Sequence, residues 1–146
     1  MLLTQPRTAQ AVKAQETVLS ILSAAEALFL TKNYADVTME HIAERSGLTK
    51  GALYHHFSSK EELYLHMMHA ALARMRALFS AALASSGGCR RRLGRLTQAF
   101  LELPPDQIGL MRLVRRDVNI FAAPARGKLV RSYQEALPAV VEAAIR

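Results

Sequence analysis

Apolar residues recur at spacings of three and four from Val18 through Ile21, Leu22, Ala25, Leu28 and Phe29. This spacing predicts an amphipathic helix from Gln15 to about Lys32-Asn33. The segment before it, residues 1–14 (MLLTQPRTAQAVKA), is polar, contains Pro6 and lacks an apolar face. It is expected to form a mobile arm that turns helical near its end. Two short helices follow. Thr38 stands at an N-cap position, and Ile42 with Ala43 form the apolar side of a helix reaching about Arg45. Ser46-Gly47 breaks that helix, because Gly47 can take the positive φ of a sharp turn. Thr49 then caps a third helix over about residues 50–57, on which Leu53 and Phe57 lie one turn apart and point inward. Lys50, Ala52, Tyr54 and His55 are left facing outward, with His56 near the edge.

Ser58-Ser59-Lys60-Glu61-Glu62 is a start signal, since either serine has a glutamate three residues later, as a capping box needs. A fourth helix follows with Leu63, Met67, Ala71, Met75, Leu78 and Ala82 on its apolar side, unbroken until Ser85-Ser86-Gly87-Gly88. Beyond that break, three helices are expected at residues 90–103, 106–121 and 125 to the end. Pro104-Pro105 and Ala123-Pro124 separate them, and Pro138 should kink or restart the last. The pattern therefore predicts an all-α chain in four parts. These are an arm at 1–14, a helix-turn-helix domain at 15–60, a connecting helix at 61–86 and a C-terminal helical domain at 87–146.

Composition adds few constraints. The 146 residues are 51% hydrophobic, rich in Ala and Leu, which favours helix throughout. No apolar run approaches the roughly 18–20 residues that cross a bilayer, and a cytoplasmic location with no membrane partner is expected. A lone cysteine, Cys89, forms no internal disulfide and reads as an inert thiol. The net charge of +7 is unevenly placed. Residues 1–86 carry eight Lys/Arg against seven Asp/Glu, and residues 87–146 carry eleven against five. Charge alone is thus weak support for a nucleic-acid partner, and pattern must carry the case.

That pattern is specific. Two short helices joined by a Gly-containing turn, with small Ala43 at the crossing and a polar outer face on the second, make a helix-turn-helix. Its outer face matches the chemistry of a duplex. Thr38 and Thr49, each at a helix start, can donate to phosphate oxygens. Lys50 can reach a guanine edge or a phosphate, Gly51 allows close backbone approach, the Ala52 methyl can touch a thymine methyl, and Tyr54 can donate to a phosphate. Lys60 is expected to anchor one more phosphate. His41, His66 and His69 read as solvated helix residues, and Met67, Met68 and Met75 as core. Arg90-Arg91-Arg92 and Arg115-Arg116 read as solvated helix faces. No nucleophile elbow, phosphate-cradling glycine loop or metal-ligand motif appears, so no enzyme, cofactor or metal site is expected.

The stretch "TMEHIAERSGLTKGALYHHFSSKEEL", within residues 21–63, resembles the N-terminal DNA-binding domain of the TetR family of transcriptional regulators. By that resemblance Thr38, Thr49, Lys50, Gly51, Ala52, Tyr54, His55, His56 and Lys60 take DNA-contacting roles. Ala52 stands where many members carry a hydroxyl residue. Gln15-Glu16-Thr17 lacks the arginine often found there, leaving Lys13 or Arg7 as cations of the arm. The resemblance implies a homodimer that binds a palindromic operator and is released by a small-molecule effector held among the C-terminal helices. Phe100, Met111, Val114, Val118, Phe121 and Tyr133, with Leu101, Leu129 and Leu137, are the apolar candidates to line that pocket. It also implies two further helices after "LPAVVEAAIR", so the C-terminal effector and dimerisation domain is expected to be truncated. The rival expectation is a helical protein-interaction module whose basic faces bind an acidic partner without reading DNA sequence.

Overall fold

The computed structural model describes residues 8–84 and 86–146. All regular structure among the described residues is helical: α1 (Ala9–Thr31), α2 (Met39–Ser46), α3 (Lys50–His56), α4 (Lys60–Leu83), α5 (Cys89–Leu101), α6 (Pro105–Asp117), α7 (Ala125–Ala136) and α8 (Pro138–Ile145). Short 3-10 turns at Tyr34–Asp36 and Val118–Ile120 complete the list. The all-α expectation is met. Residues 1–7 of the expected arm, Arg7 among them, and Ser85 of the expected break lie outside the described residues.

The chain divides into two compact units, one running through Leu63 and one from Tyr64 to Arg146. In the first, α1 packs on α2 and α2 on α3. Ile21, Leu22, Ala25 and Phe29 of α1, Met39, Ile42 and Ala43 of α2, Leu53 of α3, and Val37, Phe57 and Leu63 are buried. Helix α1 begins at Ala9, well before the Gln15 that periodicity predicts. The Thr8 hydroxyl accepts from the Ala11 N–H at 3.3 Å, and the Ala-rich turn that follows has high helix propensity. Residues 9–15 are exposed, so this extension leaves no apolar stripe to read.

In the second unit, Tyr64, Met67, Met68, Ala71, Leu72, Met75 and Phe79 of α4 are buried with Leu110, Met111, Leu113 and Val114 of α6 and Phe121. The expected apolar side of α4 needs one correction: Leu78 is 46% exposed and Phe79 is fully buried. Spacings of three and four are both helical after Met75, and the larger aromatic wins the inward position, where its ring stacks on Phe100 at 6.3 Å. Pro138 does restart the chain, standing at the first position of α8. Helices α5 and α7 both contact α8.

Polar groups tie this unit together. Buried Asp117 accepts from the Tyr64 hydroxyl at 2.7 Å and from Arg116 Nε at 2.6 Å. Arg92 Nε donates to the Ala144 carbonyl at 3.1 Å and Arg95 Nε to the Ala82 carbonyl at 3.0 Å. Arg92 is therefore a structural tie where the sequence suggests a solvated face, while Arg116 is exposed as expected and also pairs with Asp117. His69 also departs from expectation. It is half-buried, its Nδ1 lies 2.8 Å from the Ser132 hydroxyl, and burial holds its pKa below the ordinary imidazole range, with neighbouring His66 and Lys128 adding to the effect.

Candidate nucleic-acid interface

Helices α2, α3 and α4 each start on a side-chain cap written into the local sequence. The Thr38 hydroxyl accepts from the His41 N–H at 3.1 Å while His41 Nδ1 accepts from the Thr38 N–H at 3.3 Å, a reciprocal box closed by histidine rather than glutamate. The Thr49 hydroxyl accepts from the Ala52 N–H at 3.1 Å. The Ser59 hydroxyl accepts from the Glu62 N–H at 3.1 Å, and Glu62 in turn accepts from the Ser58 N–H at 2.7 Å. In each threonine cap the oxygen is the acceptor, so the hydroxyl proton is chemically able to donate to an outside anion.

Between α2 and α3 the chain turns through Gly47, whose φ of 70° is left-handed. The Leu48 N–H reaches the Ala43 carbonyl at 2.9 Å and the Gly47 N–H reaches the Glu44 carbonyl at 3.2 Å. This paired closure satisfies carbonyls at the end of α2 and turns the chain sharply into α3. Ala43 is buried at the crossing, where a larger side chain would separate the helices.

Helix α3 buries Leu53 alone, with Phe57 buried just past its end. Lys50, Gly51, Tyr54 and His55 are exposed, and Ala52 and His56 are half-buried. Tyr54 is 43% exposed, far above what a packing residue needs. The His55 and His56 rings meet edge-on at 5.5 Å. Gly51 is informative because folding does not require it. Its φ is not left-handed, and a Cβ added there would meet nothing within 4 Å. A helical glycine costs roughly 1 kcal/mol relative to alanine, so an exposed one in a short helix calls for a reason outside the chain.

Two cations have partners that sequence reasoning does not find. The Lys50 ammonium forms an ion pair with Glu40 of α2 and lies 5.9 Å from the centre of the Tyr54 ring. The hydrogen bond between Lys50 and Glu40 lowers the carboxyl pKa and raises that of the ammonium. Lys60 donates to the Tyr34 carbonyl at 2.8 Å and sits 4.2 Å from the centre of the Tyr34 ring. One of its three donors is thus engaged in holding the 3-10 turn, and the others are left for an anion. Both partnerships depend on how the helices cross, and no periodic signal in the sequence announces them.

The expected effector-pocket residues are scattered in burial. Met111, Val114 and Phe121 are buried, Phe100, Val118 and Tyr133 are half-buried, and Leu101 is 75% exposed, contrary to its expected inward position. Other side chains line the clefts found in the second unit. One of about 350 Å3 is bordered by Arg76, Ser80, Leu83, Glu135, Ala139 and Val140. Another of about 220 Å3 is bordered by Arg74, Met75, Leu78, Leu103, Pro104 and Gln107.

Comparison with known proteins agrees with this geometry. Residues 21–67 match the family described as bacterial regulatory proteins, tetR family. The HTH-type transcriptional regulator TtgR of Pseudomonas putida is 42% identical over 100 residues, covering 64% of this chain and 46% of that protein. The HTH-type transcriptional activator FasR of Mycolicibacterium smegmatis is 35% identical over 82 residues, covering 56% of this chain and 37% of its own. The chain thus spans less than half the length of these relatives. Among solved structures, a putative transcriptional regulator from Pseudomonas aeruginosa PAO1 superposes with a TM-score of 0.78 at 19% identity, covering 91% of this chain and 65% of that one. That likeness extends the shared fold beyond the matched segment. Residues 21–67, with their capped helices and left-handed glycine turn, thus carry the segment that matches the tetR family of bacterial regulatory proteins, and the likeness to solved structures over the rest of the chain is one of fold.

Proposed function

We propose that this chain is a sequence-specific DNA-binding transcriptional regulator that acts as a ligand-released repressor and binds a palindromic operator as a homodimer. The observation that carries the reading is the outer face of α3. It presents a cation, a bare backbone at Gly51 and a phenol side by side, and burial explains none of them. Lys50 and the Ala52 methyl would meet base edges in the major groove. The hydroxyls of Thr38, Thr49 and Tyr54, the imidazoles of His55 and His56, and Lys60 would meet backbone and neighbouring edges. Phosphate contacts fix register and base contacts choose sequence.

In a homodimer the two α3 helices would enter successive major grooves about 34–36 Å apart. The effector would bind among Phe100, Met111, Val114, Val118, Phe121 and Tyr133, and a coupling of typically 1–3 kcal/mol would release the operator. Because three of these side chains are buried, ligand entry requires them to repack. Repression needs only occupancy of a promoter, which is why we favour it even though FasR is named an activator.

Selection of bound duplexes from a random-sequence pool, at two salt concentrations, tests the reading. Recovery of one palindromic sequence, lost when Tyr54 is changed to Ala, is the expected result. Binding that is weak, sequence-blind and abolished by modest salt would refute sequence-specific recognition and favour an interaction module with an acidic protein partner.

A further inference from the structure

The α3 cation expected to meet DNA is already held by a carboxylate of the same chain. Glu40 lies in the first turn of α2, ten positions before Lys50, and the two side chains pair across the helix-turn-helix. Both are open to solvent, at 56% exposure each, so this is not a buried strut. Exposed pairs of this kind contribute little to folding, and stability gives no reason to place one on the reading face. Glu40 thus holds Lys50, a group expected to touch DNA, as an outside anion would.

Resting on the DNA-binding reading above, we propose that Glu40 is a specificity-determining residue, an internal stand-in for phosphate that Lys50 must leave before it can touch a duplex. On a sequence-blind encounter, the broken pair leaves a bare carboxylate facing a polyanion, which weakens binding. At the operator the loss is recovered, because a G·C pair in the major groove offers both halves of the pair a partner. Guanine O6 and N7 accept from Lys50, and the cytosine N4 amino group donates to Glu40. The Glu40–Lys50 pair therefore penalises generic DNA and rewards a G·C pair at one position of each half-site.

The test uses the 146-residue chain, a labelled random-sequence duplex and the selected operator, with Glu40→Gln, Lys50→Gln and the double variant. Thermal unfolding verifies that each variant is folded. Glu40→Gln should bind the random duplex about 2- to 5-fold more tightly at low salt, with log K falling more steeply against log salt by up to about 0.9. Its preference for the operator should shrink by a similar factor. The gain should vanish in the Lys50→Gln background, because there is no longer an ammonium to release. An unchanged affinity of Glu40→Gln for the random duplex, beside a wild type that binds its operator, would overturn the inference alone. A gain that persists without Lys50 would also overturn it, leaving simple charge repulsion. Failure of every form to bind any duplex would instead overturn the DNA-binding reading, and this inference with it.

Discussion

Replacing Gly51 with alanine should move stability and DNA affinity in opposite directions. Gly51 is the second residue of α3, and the space around its missing Cβ is empty for 4 Å. The methyl therefore meets no clash, and the exchange removes backbone freedom that only the unfolded chain uses. Helix propensity gives a gain of roughly 0.5–1 kcal/mol, which in a domain of this size raises the melting temperature by roughly 2–8 °C. On DNA the same methyl would project toward the groove floor or wall. Holding the helix off by even about 1 Å stretches hydrogen bonds past their useful range of about 3.2 Å. Loss of one good base contact costs about 1–3 kcal/mol, so operator affinity should fall about tenfold or more. Circular dichroism melting and fluorescence anisotropy on the selected operator read the two effects separately. An alanine variant that melts higher and binds its operator as well as wild type would refute the placement of Gly51 against DNA. One that melts lower would refute the open helical geometry assigned to it.

Other expectations follow from the same structure. Tyr54→Phe removes one exposed hydroxyl and should weaken operator binding about 3- to 10-fold, the value of a typical hydrogen bond, while the melting curve stays in place. Leu53→Ala should destabilise the first unit by about 2–5 kcal/mol, measured by urea titration, because Leu53 is fully buried; a loss under about 1 kcal/mol would mean that α3 does not pack through it. His69 has a pKa held below its unfolded value, so the unfolded chain binds more protons between those two values, and stability should fall as pH drops through about 6.5. His69→Gln should flatten that part of the pH–stability curve, and coincident wild-type and variant curves would rule the contribution out.

What could be read from the sequence alone is what the chain encodes locally. Thr38, Thr49 and Ser59 each cap the helix that starts beside them, so the starts of α2, α3 and α4 were legible to within a residue. Gly47 was legible for the same reason, since only its own φ decides the turn. The early start of α1 was not, because an exposed alanine-rich extension has no periodic face to detect. Leu78 was misplaced because two helical spacings compete after Met75, and tertiary packing chose between them. The pairing of Lys60 with Tyr34 joins residues 26 positions apart, and that of Lys50 with Glu40 crosses a turn. Neither can be deduced without the crossing of the helices. Burial among the apolar residues of the second unit was only partly legible, since apolarity alone does not say which face of a helix its neighbours cover, and Leu101 is 75% exposed.

The division of labour within α3 has a bearing on descent. Within α3 Leu53 is the buried residue, so changes at exposed Lys50, Tyr54 or His55 touch nothing the core depends on. Surface substitutions away from packing and caps usually alter stability by less than about 0.5 kcal/mol. On the DNA-binding function proposed above, a duplicated copy of this gene could therefore acquire a new operator through single-residue steps, each leaving a folded protein for selection to act on. Fold and target preference can then diverge at different rates, and close structural kin can be expected to answer to unrelated promoters.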